Sequence, residues 1–528
     1  MHNKTIIIVG GGSAGWMTAA TLCKVFPQYN VTLIESPNIP ISGVGESTIA
    51  GIHEWINLVG INEHEFMKAT DATYKLSIRF ENFYKKDDGG FHYPFTKPHL
   101  EGTVYGTNDW HYKKMYKPET PNSNYAESYH SIMALVNENK FDKNTDHKLP
   151  GYTYGVDSAY HFDATKFGQW LKDNICLPNG VKHIIDDVDI DRTHVDHTGQ
   201  IKNLTTVNGT TFIGDLYIDC TGFKSLLLDK IYKEPFNSYT HMLPNNRAWA
   251  TRIKYTDKQK QMEPYTNCKA LNNGWVWNIP LWNRLGTGYV YSDKYAKPQE
   301  ALNEFKMHLS AKDIDVNNLE FRDIKMRVGL HERIWVKNVV AIGLSAGFIE
   351  PLESNGLYTV HKFLIELMRT LLRSENTHGV IASRFDIDSF NAVCKKMFKD
   401  FANFVSMHYA LTQRTDTPYW KACYNRSYDT TMLEDTQNVT VGGKSYAFDR
   451  LVGRNLVGLG FPPIASGMGY NPVDRVTEGT DTRQGKLSNK QLDEIVRRLD
   501  SNKDNWAKSV TSCQTMYDYL NSTIYKEE

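Results

Sequence analysis

Three stretches of this chain combine residue types and spacings that could do chemistry. The first is Gly10-x-Gly12-x-x-Gly15, behind the apolar run Thr5–Val9. Gly10 permits a tight turn, Gly12 lets a pyrophosphate reach the backbone, and Gly15 lets helix and strand close together. The N-terminus of the helix that follows, from about Trp16, then faces the phosphates. Glu35 ends a second apolar run, Val31–Ile34, at the distance where an acid accepts hydrogen bonds from a ribose with a free 2′-hydroxyl. Strand, loop, helix, strand and acid in register specify a dinucleotide site rather than a plain glycine turn.

The second stretch is Trp275-Val276-Trp277-Asn278-Ile279-Pro280. Residues i and i+2 of a strand share a face, so the indoles form one rigid aromatic wall. Pro280 ends the ladder because it has no N–H. Ordinary strand packing is the competing explanation, but beside a dinucleotide loop the wall reads as a barrier keeping something from the cofactor. The third stretch, Phe348–Gly356, carries two carboxylates, Glu350 and Glu353, either suited to acid–base work or to capping a helix.

Other motifs sharpen or test this reading. Leu216–Gly222 is an apolar strand ending in D-x-T-G, a pattern that recurs in flavoproteins with two dinucleotide domains. Val339–Leu344 ends in Gly-Leu where flavin hydroxylases usually have Gly-Asp. Gly343-x-Ser345-x-Gly347 imitates the nucleophile elbow of a hydrolase, but Pro351 opposes the helix that an elbow requires straight after it.

The elements that must position these groups alternate between two periods. Helices are expected from about Trp16 to Val25 and from about Ser354 to Leu372. Buried or antiparallel strands are expected over 181–190, 201–207, 216–220, 248–255, 274–280, 287–292 and 339–342. The fold class is α/β: a Rossmann-type FAD-binding domain of the two-dinucleotide-binding flavoprotein class, with an inserted antiparallel-sheet and helical substrate region. The core spans 1–420, interleaved with an irregular, Tyr-rich insertion at about 71–155 and a sheet at 245–330. Residues 421–528 form a mainly helical region on the substrate side, in which Asp474–Lys486 is a polar stretch.

Bulk properties exclude several classes. The chain has 528 residues, is 41% hydrophobic, and balances 60 basic with 60 acidic residues, which argues against a nucleic-acid partner. Its seven cysteines are odd in number and form no C-x-x-C, so a reduced, cytoplasmic protein with no metal site is expected. No leader and no run long enough for a membrane span is read. Oligomeric state is not specified; a homo-oligomer is compatible.

Gly10–Ala20, Gly43-Val44-Gly45-Glu46-Ser47-Thr48, Tyr160–Ala164, Trp275–Pro280 and Phe348–Gly356 together resemble the flavin-dependent halogenases of the tryptophan-halogenase type over about 5–420. Arg327-Val328-Gly329 and Asp416–Trp420 are similar to the same family. The resemblance implies the following chemistry. A separate NAD(P)H-dependent flavin reductase supplies FADH2, and O2 gives a flavin C4a-hydroperoxide. Halide attacks it to give hypohalous acid, which crosses to an electron-rich aromatic substrate while the tryptophan wall bars that substrate from the flavin. Lys75 matches the family's essential lysine and Glu353 its catalytic carboxylate, leaving Glu350 structural. Asn355 and Gly356 match the halide-binding positions. Gly45, Glu46, Val188, Leu344 and Leu357 join Gly10, Gly12, Ser13, Ala14, Gly15 and Glu35 at FAD. Threonine is usual where Asn355 stands, so bromide or iodide is expected to be preferred over chloride. A free small aromatic is expected rather than a carrier-tethered one, since no basic docking run is present. The alternatives are a flavin monooxygenase hydroxylating aromatics, which the wall and Leu344 oppose, and a non-catalytic flavin-binding protein, which Lys75 and Glu353 oppose.

Overall fold

The computed structural model describes residues 3–39, 45–104, 106–145, 148–378, 381–428, 456–470 and 487–526. Gly43, Val44 and the polar stretch Asp474–Lys486 lie outside them. The chain forms two compact units: residues 1–72, 161–246 and 324–400, and residues 73–160, 247–323 and 401–528.

The first unit is built on a sheet in the order Trp335–Val336, Val339–Ala341, Leu216–Asp219, Thr5–Val9, Asn30–Glu35, Lys182–Ile185. All neighbours run parallel except the first pair. Such strands are covered on both faces, which is why they read as unbroken apolar runs. Ile6, Ile8, Leu33, Ile218 and Val340 are buried. The helix Ser13–Val25 crosses between the first two strands in sequence, three residues earlier than the apolar pattern alone placed it. A separate antiparallel sheet joins Val188–Val195, Ile201–Thr206 and Thr211–Phe212. The helix Gly356–His378 outlasts its expected end at Leu372.

The second unit holds the antiparallel region. Six consecutive strands of a seven-stranded sheet run in the order Arg247–Ile253, Leu285–Tyr291, Gly274–Pro280, Tyr265–Ala270, Ser77–Glu81, Gly90–Pro94, with a parallel pairing of Tyr265–Ala270 on Ser77–Glu81. Val276, Tyr289 and Tyr291 face the helix Pro298–Ser310 and pack on Ala301, Phe305 and Leu309. The insertion is more ordered than its polar, Tyr-rich composition suggested. Short helices form at Asp109–Tyr116, Asn124–Tyr129 and Met133–Asn137, and the first two bury Trp110, Tyr125 and Tyr129 against Ile495 and Leu499 of the helix Asn489–Ser509. The tyrosines that read as loop residues are core residues, because their partners lie far away in sequence.

Candidate active site

The first unit carries the candidate dinucleotide site. Gly10 has φ +114°, and a Cβ there would stand 2.3 Å from the Cys220 carbonyl oxygen. A Cβ on Gly15 would stand 1.9 Å from the carbonyl oxygen of Gly10. Gly10 thus lies against the backbone that follows the Leu216–Asp219 strand, and Gly15 closes the loop against its own backbone. Gly12 differs: a Cβ there would meet nothing within 4 Å. Gly12 also caps the helix without a side-chain hydrogen bond, and no acidic residue stands in the first turn. An open cradle over unanswered amides fits a pyrophosphate, so the residues present fit FAD. Gly343 has φ +77° and abuts Ala14. This sets the next residue, Leu344, beside the loop with 39% of its surface exposed, an apolar side chain available to a ring system. Leu357 is buried in the first turn of Gly356–His378, and Val188 begins its strand half-buried.

Glu35 bends back over Gly11, and its Oε2 lies 2.8 Å from His183 Nε2. The sequence reading missed His183. Its signal was faint, a histidine in a strand that pairs with the Glu35 strand in register. Asp219, from the D-x-T-G motif, is fully buried. It accepts hydrogen bonds from the amides of Thr221, Leu227 and Leu228 and from the Thr221 hydroxyl. Burial pushes its carboxyl up despite those bonds.

The hydrolase imitation fails on geometry. Ser345 is fully buried, and its hydroxyl donates to the carbonyls of Ile342 and Asp219. Gly347–Phe348 then forms a strand against Gly329–His331 instead of a helix.

The segment after that strand builds the other candidate groups of this unit. Pro351–Glu353 is a single 3-10 turn, and Ser354 follows in the left-handed region at φ 56°. Glu350 and Glu353 are both fully buried. Glu350 stands at the cap position but makes no capping hydrogen bond, so the helix-capping explanation is not realised there. Ser354 Oγ donates to Ser47 Oγ at 3.0 Å, tying this turn to the strand Glu46–Ser47. Asn355 Nδ2 donates to the Ile349 carbonyl at 3.3 Å, while its buried Oδ1 has no hydrogen-bond partner among the described residues. Gly45 turns with φ +108° into Glu46.

The second unit carries Lys75 and the tryptophans. Lys75 ends the strand Thr73–Lys75, is fully buried, and its Nζ lies 5.2 Å from the centroid of Phe95. Thr73 Oγ1 donates to the Pro280 carbonyl at 2.6 Å, which fastens the Lys75 strand to the end of Trp275–Pro280. Strand register puts Gly288, Trp277, Cys268, Phe80 and Phe91 in one row on the face away from Val276. Phe80 in that row contacts His408, ring centroids 4.4 Å apart. Trp275 and Trp277 are buried, their centroids 6.3 Å apart. Neither indole N–H finds a partner among the described residues. An orphaned donor costs about 1–3 kcal/mol, a penalty that a purely apolar side chain does not carry.

Trp277 lies across Gly288, where a Cβ would stand 2.2 Å from the indole ring and 2.6 Å from the Trp249 carbonyl oxygen. Gly288→Ala should therefore destabilise the protein by about 1–3 kcal/mol, read as a lower urea midpoint. An unchanged or raised midpoint, as a strain-free Gly→Ala change gives, contradicts this packing. Among the described residues, no group of three or more His, Cys, Asp or Glu could hold a metal, and no helix is long and apolar enough to cross a membrane. None of the seven cysteines is in a disulfide, and all are buried.

Comparison with known proteins places this architecture. The sequence profile of the tryptophan halogenase family matches residues 5–450. The chain is 34% identical to the tryptophan 7-halogenase RebH of Lentzea aerocolonigenes over 436 residues, covering 79% of this chain and 78% of that protein. Among solved structures, VirX1 in its apo form superposes with a TM-score of 0.88 at 36% identity, covering 100% of both chains. Tar14, a tryptophan C-6 flavin-dependent halogenase (chlorinase) from taromycin biosynthesis, gives a TM-score of 0.82 at 27% identity, covering 99% of this chain and 100% of that one. The Gly-rich cradle, the buried Lys75 and the tryptophan strand thus sit in a chain that belongs to the tryptophan halogenase family, the flavin-dependent halogenases.

Proposed function

We propose that this halogenase uses FADH2 from a separate NAD(P)H-dependent reductase, O2 and a halide to halogenate a free, small, electron-rich aromatic. Lys75 holds the oxidised halogen and Glu353 is its carboxylate partner. The observation that supports these roles is burial. Both side chains are fully buried, whereas lysine and glutamate almost always keep their charge in water unless it is used or paired.

The chemistry that reduced FAD supplies when bound is the two-electron activation of O2 that turns a halide into hypohalous acid. The chain's own residues do the rest. Gly12 and the first-turn amides of Ser13–Val25 hold the pyrophosphate. The Glu35 carboxylate, oriented by His183, takes the ribose. Leu344 and Leu357 contact the ring system. Backbone amides at Asn355 and Gly356 hold the halide, with the Asn355 side chain setting the size and polarity of the site. Trp275 and Trp277 bar an arene from the flavin while a small oxidant passes. Lys75 hydrogen-bonds that oxidant or carries it as a haloamine, and Glu353 takes the ring proton.

The hydroxylase alternative is not favoured, since the family is one of halogenases and Leu344 replaces the hydroxylase aspartate. The experiment is a panel of free indoles and phenols with FAD, reductase, NADH and equimolar chloride, bromide and iodide. Bromide or iodide should be incorporated at least about tenfold over chloride, since an amide replaces the usual hydroxyl at the halide site. Clear chloride preference overturns the role of Asn355; turnover confined to carrier-tethered substrates overturns the free-substrate reading.

A further inference from the structure

The halide site proposed above has an unexpected neighbour. Glu46 pairs in its strand with Phe162, and the Ser354–Ser47 hydrogen bond holds that strand against the turn before Gly356–His378. Its Oε2 lies 3.6 Å from where a Cβ on Gly356 would be. A carboxylate therefore stands over the residue whose backbone opens the helix, where no acidic residue occupies the first turn. Asn355, the residue before Gly356, is buried with its Oδ1 lacking a hydrogen-bond partner among the described residues. An ionised Glu46 would repel a halide there, whereas a protonated one offers an O–H donor.

We propose that Glu46 takes up a proton when halide binds at the head of the helix Gly356–His378, so that halide and proton enter the site together. Where Glu46 is ionised, one proton is taken up with each halide and the Glu46 O–H bond is the only covalent bond formed; where it already carries its proton, halide binds without further proton uptake. The inference rests on the reading that Asn355 and Gly356 hold the halide.

The surroundings set the pH range. Burial, and then the negative charge of Asp163, push the Glu46 carboxyl up to about 7. Asp163 caps the helix Ala164–Leu171 through the amides of Thr165 and Lys166. The turn before Gly356 contributes Glu350 and Glu353. The helix itself contributes His361, which burial and the Lys362 charge hold well below the usual imidazole range and so neutral, and Lys362, engaged with Glu54. The carboxyl keeps its proton below pH 7 and loses it above, so halide binds tightly on the acid side and weakens on the alkaline side.

The test is a bromide titration of the oxidised, FAD-loaded protein, read by the change in flavin absorption, from pH 6 to 9. The apparent Kd should rise about tenfold per pH unit above about pH 7, close to two orders of magnitude over the range. In Glu46→Gln the affinity should be flat with pH. Asp163→Asn keeps the cap but removes the charge, and should move the midpoint to lower pH. A flat profile in the wild type, or an undiminished slope in Glu46→Gln, overturns the proposal. Should Glu46→Gln lose FAD, Asp163→Asn decides, and an unmoved midpoint overturns it. Asn355→Leu separates the two levels: unchanged bromide affinity at pH 6 places the halide elsewhere and fails the site itself, whereas weakened affinity without pH dependence fails only the role of Glu46.

Discussion

Lys75→Ala should abolish halogenated product, lowering kcat by at least about a thousandfold, ~4 kcal/mol of lost transition-state stabilisation. Hypohalous acid should still form, because the role proposed for Lys75 begins only after it. A nucleophilic trap in solution should therefore go on being halogenated while the bound arene is not. Removing a fully buried lysine also removes packing, including its contact with Phe95. Lys75→Met keeps most of the volume without the charge. If Lys75→Met folds with normal FAD content yet retains regioselective halogenation, the role assigned to Lys75 is wrong. If neither variant oxidises halide, Lys75 acts earlier than proposed.

Two glycines of the phosphate loop should separate folding from cofactor binding. Gly15→Ala places a Cβ 1.9 Å from the Gly10 carbonyl oxygen, so the loop cannot close. The expected result is an apoprotein with a lowered urea midpoint and FAD affinity down at least about a hundredfold, ~3 kcal/mol. Gly12→Ala points its methyl into open space, at φ −75°, which alanine adopts freely. It should leave the urea midpoint of the apoprotein unchanged and still weaken FAD by about tenfold or more, because the methyl stands where the pyrophosphate belongs. Equal loss of stability in both variants, or normal FAD binding by Gly12→Ala, contradicts this assignment of the cradle.

These contrasts show what was legible in the sequence. The parallel sheet was, because strands buried on both faces must read as apolar runs, as Thr5–Val9 and Val339–Ala341 do. The tryptophan strand was too, since it alternates and ends at a proline. The ordered core of the insertion was not. Trp110 and Tyr129 pack on Ile495 and Leu499, hundreds of residues away, and no local pattern announces so distant a partner. The candidate site shows the same division. Its glycines declare themselves through spacing, while His183 on Glu35 and Glu46 over Gly356 exist only after distant strands come into register. Ser345 is the converse: a persuasive local motif disarmed by two carbonyls that accept its proton.

The most direct test of the account is the mass of the product. Wild-type protein, FAD, a flavin reductase, NADH, bromide and an electron-rich indole or phenol should give one monobrominated regioisomer with the bromine isotope doublet, and none without the reductase. A product that has gained only oxygen, or bromination that spreads over several ring positions and persists in Lys75→Met, would contradict it.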